Sequence, residues 1–90
     1  MDKNTAYLKP NDLREVYYYT ELYKSGMQLI VDVSGLNAQE ASITYAYLEG
    51  HAKVTDGRLE LVKKGIIVLA PPNFDFVNYD SDDRRSYSGR

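Results

Sequence analysis

Two short apolar runs constrain the fold of this chain more than any other feature. They cover residues 27–33 (MQLIVDV) and residues 66–70 (IIVLA). Successive side chains of a strand point to opposite faces of a sheet, so consecutive apolar residues keep both faces away from water. We therefore interpret both runs as central strands that are covered on two sides.

Two helices are predicted from apolar periodicity, and each begins with the same signal. Asp12 is followed three residues later by Glu15, and Asn37 is followed in the same way by Glu40. This spacing is typical of a capping box, in which two side chains satisfy free backbone donors at a helix start. Gly50 falls within the second helical pattern, where it either ends the helix or lets another backbone come very close.

The predicted order of elements is β-α-β-α-β-β. A short strand lies within residues 3–9, and residues 58–62 and 66–70 form a β-hairpin. Residues 74–77 suit a further short edge strand. The expected fold is a two-layer α/β sandwich with both helices on one face of a small mixed sheet.

The face of the sheet without helices needs another cover. Residues 1–77 are predicted to form one core domain, and residues 78–90 (NYDSDDRRSYSGR) to be a disordered polar tail. Because 90 residues are too few for a third layer, a second copy of the sheet is the simplest cover. We therefore expect a homodimer through this face. The alternative is that the tail folds over it.

Composition argues against most chemistry. The chain has no cysteine and one histidine, which excludes disulfides and clusters of thiolate or histidine metal ligands. Its formal net charge of −2 argues against a nucleic-acid partner. Phosphate-binding glycine motifs are absent from the sequence, so we predict no cofactor.

Asp32 and His51 are the two candidate catalytic residues of the sequence. We expect Asp32, at the end of a strand, to accept hydrogen bonds from the following turn, and His51 to be a partly exposed surface residue. A small enzyme that uses both is the least favoured reading, so the chain is predicted to have no catalytic residues. The N-terminus lacks the apolar core of a signal peptide, which favours a cytoplasmic location.

The second half of the chain resembles a known family. The succession is LEG at residues 48–50, Gly57, GIIVL at residues 65–69 and PPNFDF at residues 71–76. It is similar to the core of the SepF family of cell division proteins, and the spacing agrees without a gap over residues 7–77. The resemblance implies a non-enzymatic adaptor that acts in the cytoplasm at the division site.

The resemblance also implies partners and surfaces. Members of the family dimerise through the sheet face, associate further through the second helix, and bind the C-terminal tail of FtsZ, the tubulin-like protein of the division ring. The implied self-assembly residues are Gly50 and Tyr47. The residues assigned to the FtsZ-binding surface are Leu61, Lys63, Ile67 and Leu69. An N-terminal amphipathic helix anchors the family to the membrane, and we expect it to lie outside this chain because residues 1–9 belong to the first strand.

A STAS-like regulatory domain is the alternative interpretation. In that family, a buried strand followed by a helix presents a phosphorylatable serine. Ser34 and Ser42 would be the candidates here.

Overall fold

A computed structural model describes residues 4–72, which form four strands and two helices. The elements are β1 (Thr5–Leu8), α1 (Leu13–Lys24), β2 (Gln28–Asp32), a short 3-10 turn (Val33–Gly35), α2 (Ala38–Thr55), β3 (Arg58–Lys63) and β4 (Ile66–Ala70). This order confirms the predicted β-α-β-α-β-β pattern of an α/β fold. The strand expected at residues 74–77 and the tail expected at residues 78–90 lie outside the described residues.

The sheet is mixed, with the strand order β1-β2-β4-β3. β1 runs parallel to β2, whereas β4 is antiparallel to both of its neighbours. The two apolar runs are therefore the two central strands, as predicted. Leu29 lies opposite Leu69 and Val31 lies opposite Ile67, so these four side chains share one face.

The hydrophobic core lies between that face and the two helices. Each helix contributes a narrow stripe of buried residues, and α2 does so with Thr44, Leu48 and Ala52, which are four residues apart. The buried residues of this core are Val16, Tyr19, Tyr23, Leu29, Val31, Val33, Leu48, Ala52, Ile67 and Leu69. The core thus draws on both helices and both central strands.

The other face of the sheet is also apolar at its centre. Ile30 lies opposite Val68 on this face, and Val68 and Ala70 are buried without belonging to the core cluster under the helices. Ile30 and Ile66 are only partly buried. The prediction that the central strands are apolar on both faces is confirmed, and the dimer through the second face stays a prediction.

The two helix starts differ despite their identical spacing. At α2 the capping box is present, because Glu40 donates its backbone N–H to Asn37 Oδ1 at 2.8 Å and its carboxylate accepts from the Asn37 N–H. At α1 the predicted box is wrong. The Asp12 carboxylate accepts from the backbone and the guanidinium of Arg14 instead, and Glu15 accepts from the Asn11 N–H. Asp12 still caps α1, but through the backbone N–H of the second helical residue, Arg14, whose guanidinium it also pairs with.

The end of α2 settles one of the two roles predicted for Gly50. The helix continues past Gly50 to Thr55, so the glycine does not end it. The turn comes at Asp56, which adopts a left-handed conformation with φ of 61°, and at Gly57, which donates to the Ala52 carbonyl at 2.8 Å. α2 therefore carries Gly50 on its middle turns, where the sequence alone left two possibilities.

Candidate functional site

The outer face of α2 presents a row of small and apolar residues. Ala46, Gly50 and Val54 are four residues apart and therefore lie on one side of the helix, and Ile43 adjoins them. All four are exposed, Val54 by 86% and Ile43 by 39%. We call these four residues the outer face of α2. An apolar row of this kind on a solvent-facing helix is typical of a surface that contacts another protein.

Gly50, in the middle of this row, is next to open space. A Cβ atom built there would have no heavy atom within 4 Å. A glycine inside a helix destabilises it by about 1 kcal/mol relative to alanine. Because packing within the described residues does not require a glycine here, its lack of a side chain matters only to something that approaches from outside.

Tyr47 is fixed beside the outer face by its aromatic neighbours. Its ring lies 4.8 Å from the Tyr17 ring of α1 in an edge-to-face arrangement and 4.8 Å from the His51 ring. His51 Nδ1 lies 3.1 Å from the Tyr47 carbonyl oxygen, one helical turn back. These contacts hold the half-buried Tyr47 in place, so it offers a preformed edge to a partner. His51 is the partly exposed residue that we expected.

A groove of about 780 Å³ opens next to this row. It lies between the C-terminal turn of α1, the second half of α2 and the chain that leaves β4; we call it the helix groove. The residues that line it are Tyr23, Lys24, Gly26, Ala46, Tyr47, Gly50, His51, Val54, Thr55, Pro71 and Pro72. The groove therefore includes both residues predicted for self-assembly.

The four residues predicted for FtsZ binding occupy two different environments. Leu61 is 58% exposed and Lys63 is also exposed, at the irregular end of the edge strand β3. Ile67 and Leu69 lie on the central strand β4 and are buried under the helices, with 1% and 0% exposure. Leu61 and Lys63 can therefore contact a partner directly. Ile67 and Leu69 instead pack β4 against the helices.

The two acidic residues with lowered pKa values have structural partners. The Ser34 backbone N–H, 2.9 Å from Asp32 Oδ1, is the main reason why the pKa of the Asp32 carboxyl lies below its ordinary value. Hydrogen bonds from the Arg14 side chain and backbone lower the pKa of Asp12 to about 2. Asp32 thus caps the turn after β2, as expected from its position at the strand end.

Two kinds of site are absent from the described part of the chain. Residues 4–72 hold no group of three or more acidic or histidine side chains placed to bind a metal ion. Within the same range, neither helix has the length and apolar character that a membrane-spanning segment needs.

Gly50 and Tyr47 are candidates named from the sequence, whereas the other residues that line the groove around them are not. Ala46 and Val54 could have been found from their spacing of four residues on either side of Gly50. Pro71 and Pro72 could not, because only the fold brings the end of β4 beside α2. The groove is thus a product of three segments that are distant in sequence.

Comparisons with known proteins agree on one family. The family model for "Cell division protein SepF" matches residues 6–75. Relatives of that name from Thermoanaerobacter sp. (strain X514) and Thermoanaerobacter pseudethanolicus are each 28% identical over 79 residues, which is 88% of this chain. The chain spans 58% of the length of these curated relatives.

A solved structure shares the fold. The SepF-like protein from Archaeoglobus fulgidus superimposes with a TM-score of 0.68, and the match covers 90% of this chain and all of that one. Sequence identity is 15%, so this likeness concerns the fold. The family match over residues 6–75 establishes that the chain belongs to the SepF family of cell division proteins.

Proposed function

We propose that this chain is a non-enzymatic adaptor of cell division that self-associates and binds the C-terminal tail of FtsZ. The observation that carries the proposal is the outer face of α2, an exposed apolar row centred on a glycine that packing among residues 4–72 does not require. Membership of a cell division family supplies the context. Such a domain acts by contact alone, in the cytoplasm at the division site.

Self-association proceeds through two surfaces in this proposal. The apolar second face of the sheet forms a homodimer, since Ile30 and Ile66 are still partly exposed there. Dimers then associate through the outer face of α2 and Tyr47.

FtsZ binding uses the exposed end of the β-hairpin. Leu61 offers an apolar side chain and Lys63 a positive charge, a combination that suits a short peptide with apolar and acidic residues. One such contact is weak, but an assembly that presents several copies to a filament binds it far more tightly. This gain in avidity explains how a small domain without catalytic groups tethers a filament.

Light scattering coupled to size exclusion tests the assembly. Gly50→Lys is expected to remove species larger than the dimer and to leave the subunit folded, because lysine is a better helix former than glycine at an exposed site. Glu49→Lys is the matched control, since it adds the same side chain to the neighbouring residue of α2, about 100° around the helix from Gly50 and outside the helix groove. A monomeric wild type would refute the dimer. Unchanged large species in Gly50→Lys would refute the role of α2.

Binding of a synthetic FtsZ C-terminal tail peptide, measured by calorimetry, tests the partner. Leu61→Glu is expected to weaken binding by roughly tenfold, about 1.4 kcal/mol. Tyr18→Glu is the control, because Tyr18 is 71% exposed on α1, away from the hairpin. If both variants bind the peptide equally well, the peptide does not bind at Leu61. If the wild type does not bind the peptide, the FtsZ tail is not the partner of this adaptor.

A further inference from the structure

Most of the residues that line the helix groove have no role in the proposed function. Its walls are mainly aromatic and aliphatic, from Tyr23, Tyr47, Val54, Pro71 and Pro72. Lys24 and His51 also line it, and no aspartate or glutamate does so among the described residues. A groove of this chemistry suits a peptide that carries aromatic anchors and negative charge.

We propose that the occupant of this groove is the segment of this same chain that follows Pro72, residues 73–83 (NFDFVNYDSDD). The segment contains both phenylalanines of the chain, one tyrosine, four aspartates and neither lysine nor arginine. In an extended peptide of this sequence, Phe74 and Phe76 point to one side and Asp75 to the other. Two rings would therefore face the groove while the carboxylate stays near its edge.

Proximity favours this segment over a separate protein. Pro72 already lines the groove, so the segment starts beside its binding site. Ala46 and Thr55 are nine residues apart on α2, which makes the lined stretch of helix about 14 Å long. About four extended residues span that length. A short covalent connection also gives an effective concentration of roughly millimolar order, which a free partner would have to exceed.

Docking of the segment would regulate α2. The groove includes Gly50 and Tyr47, so a docked segment covers residues that the proposed self-association needs. The segment and a second copy of the chain then compete for the same surface of α2. This consequence rests on the proposed function, but the docking itself does not.

The only histidine of the chain provides a specific signal for the test. The ring resonances of His51 are recorded by NMR on the full chain at fixed pH, for the wild type and for Phe74→Ala/Phe76→Ala. We expect these resonances to shift in the double variant and to stay in place in Tyr87→Ala, which changes an aromatic residue beyond the segment. Unchanged His51 signals would overturn the proposal. So would changes confined to the amides of β1 or β3, because these would indicate an added edge strand.

A reciprocal experiment guards against misfolding of the double variant. Val54 is 86% exposed, so Val54→Glu leaves the core intact. In the full chain this substitution is expected to shift the ring signals of the two phenylalanines, whereas Ser42→Glu, on the same helix, does not. Phenylalanine signals that ignore Val54→Glu would refute the docking.

A synthetic peptide of residues 73–83 distinguishes the source of the occupant. Added to Phe74→Ala/Phe76→Ala, it is expected to restore the wild-type His51 signals, and a peptide with both phenylalanines replaced by alanine is expected to bind about 30-fold more weakly. Isotope-labelled Phe74→Ala/Phe76→Ala is also mixed with unlabelled wild type, and wild-type His51 signals in the labelled variant would refute docking within one chain and assign the segment to a neighbouring copy. These signals report docking even if α2 plays no part in self-association, so the two proposals fail independently.

Discussion

Gly57 is predicted to be the glycine that this fold tolerates losing least. A Cβ at this position would collide with the Tyr23 hydroxyl and with the Ala70 carbonyl oxygen, which would be only 2.6 Å away. Neither obstacle moves easily. The Tyr23 hydroxyl hydrogen-bonds Thr55 Oγ1 at 2.5 Å, and the Ala70 carbonyl belongs to the central strand β4. Overpacking of a core costs about 1–3 kcal/mol, and we expect Gly57→Ala to lower the free energy of unfolding by about 3 kcal/mol.

A double-mutant cycle tests the cause of this loss. Tyr23→Phe alone removes one hydrogen bond and should cost about 1 kcal/mol. In the Gly57→Ala background the same change also removes one obstacle, so the double variant should be more stable than the sum of the single effects predicts, by at least about 0.5 kcal/mol. Gly50→Ala is the control and is expected to stabilise the fold by up to about 1 kcal/mol.

The assay is urea unfolding followed by circular dichroism, at one protein concentration for all variants because self-association would shift the midpoint. Two results would refute the reasoning. One is a Gly57→Ala protein within about 0.5 kcal/mol of the wild type. The other is additivity of the two substitutions within about 0.3 kcal/mol, which would mean that the tyrosine hydroxyl is not the obstacle.

Two further predictions concern the helix starts. Asn37→Ala is expected to lower the free energy of unfolding by about 1 kcal/mol, because it removes the oxygen that accepts from Glu40; an unchanged urea midpoint would contradict this. Carboxyl NMR titration of Asp12 should give a midpoint near 2, and Arg14→Ala should raise it towards the ordinary value of 3.8. Because the folded-state pKa is the lower one, the contact stabilises the fold above pH 3.8, and this contribution is lost as pH falls towards 2. A midpoint that Arg14→Ala does not move would refute the assigned cause.

The secondary structure could be predicted from the sequence because each element carries a local signal. The continuous apolar runs mark β2 and β4, and the helices follow from apolar spacing. The starts of the helices show the limit of such signals. Asn37 and Asp12 have the same spacing to a glutamate, but only Asn37 forms the box, whereas the Asp12 carboxylate bonds the backbone N–H and the guanidinium of Arg14. A local pattern is reliable only where no neighbour offers a stronger partner.

The candidate surfaces depend on tertiary position, which the sequence does not encode locally. Leu61 and Ile67 lie opposite each other on paired strands, yet one is 58% exposed and the other 1%. The difference arises because β4 sits between β2 and β3, whereas β3 is at the edge. Periodicity likewise identifies Gly50 as unusual but does not show that it faces open space.

The strand order also has a consequence for how the protein is made. β4 is the last strand of the described chain to be synthesised, yet it occupies the interior of the sheet and supplies Ile67 and Leu69 to the core. On the ribosome, everything up to β3 emerges with the hydrogen-bonding edge of β2 unpaired. Pairing across more than thirty residues of sequence must then wait until residue 70 is free of the exit tunnel. The nascent domain thus completes its sheet in one late step, and a chain interrupted before β4 would lack the middle of its sheet.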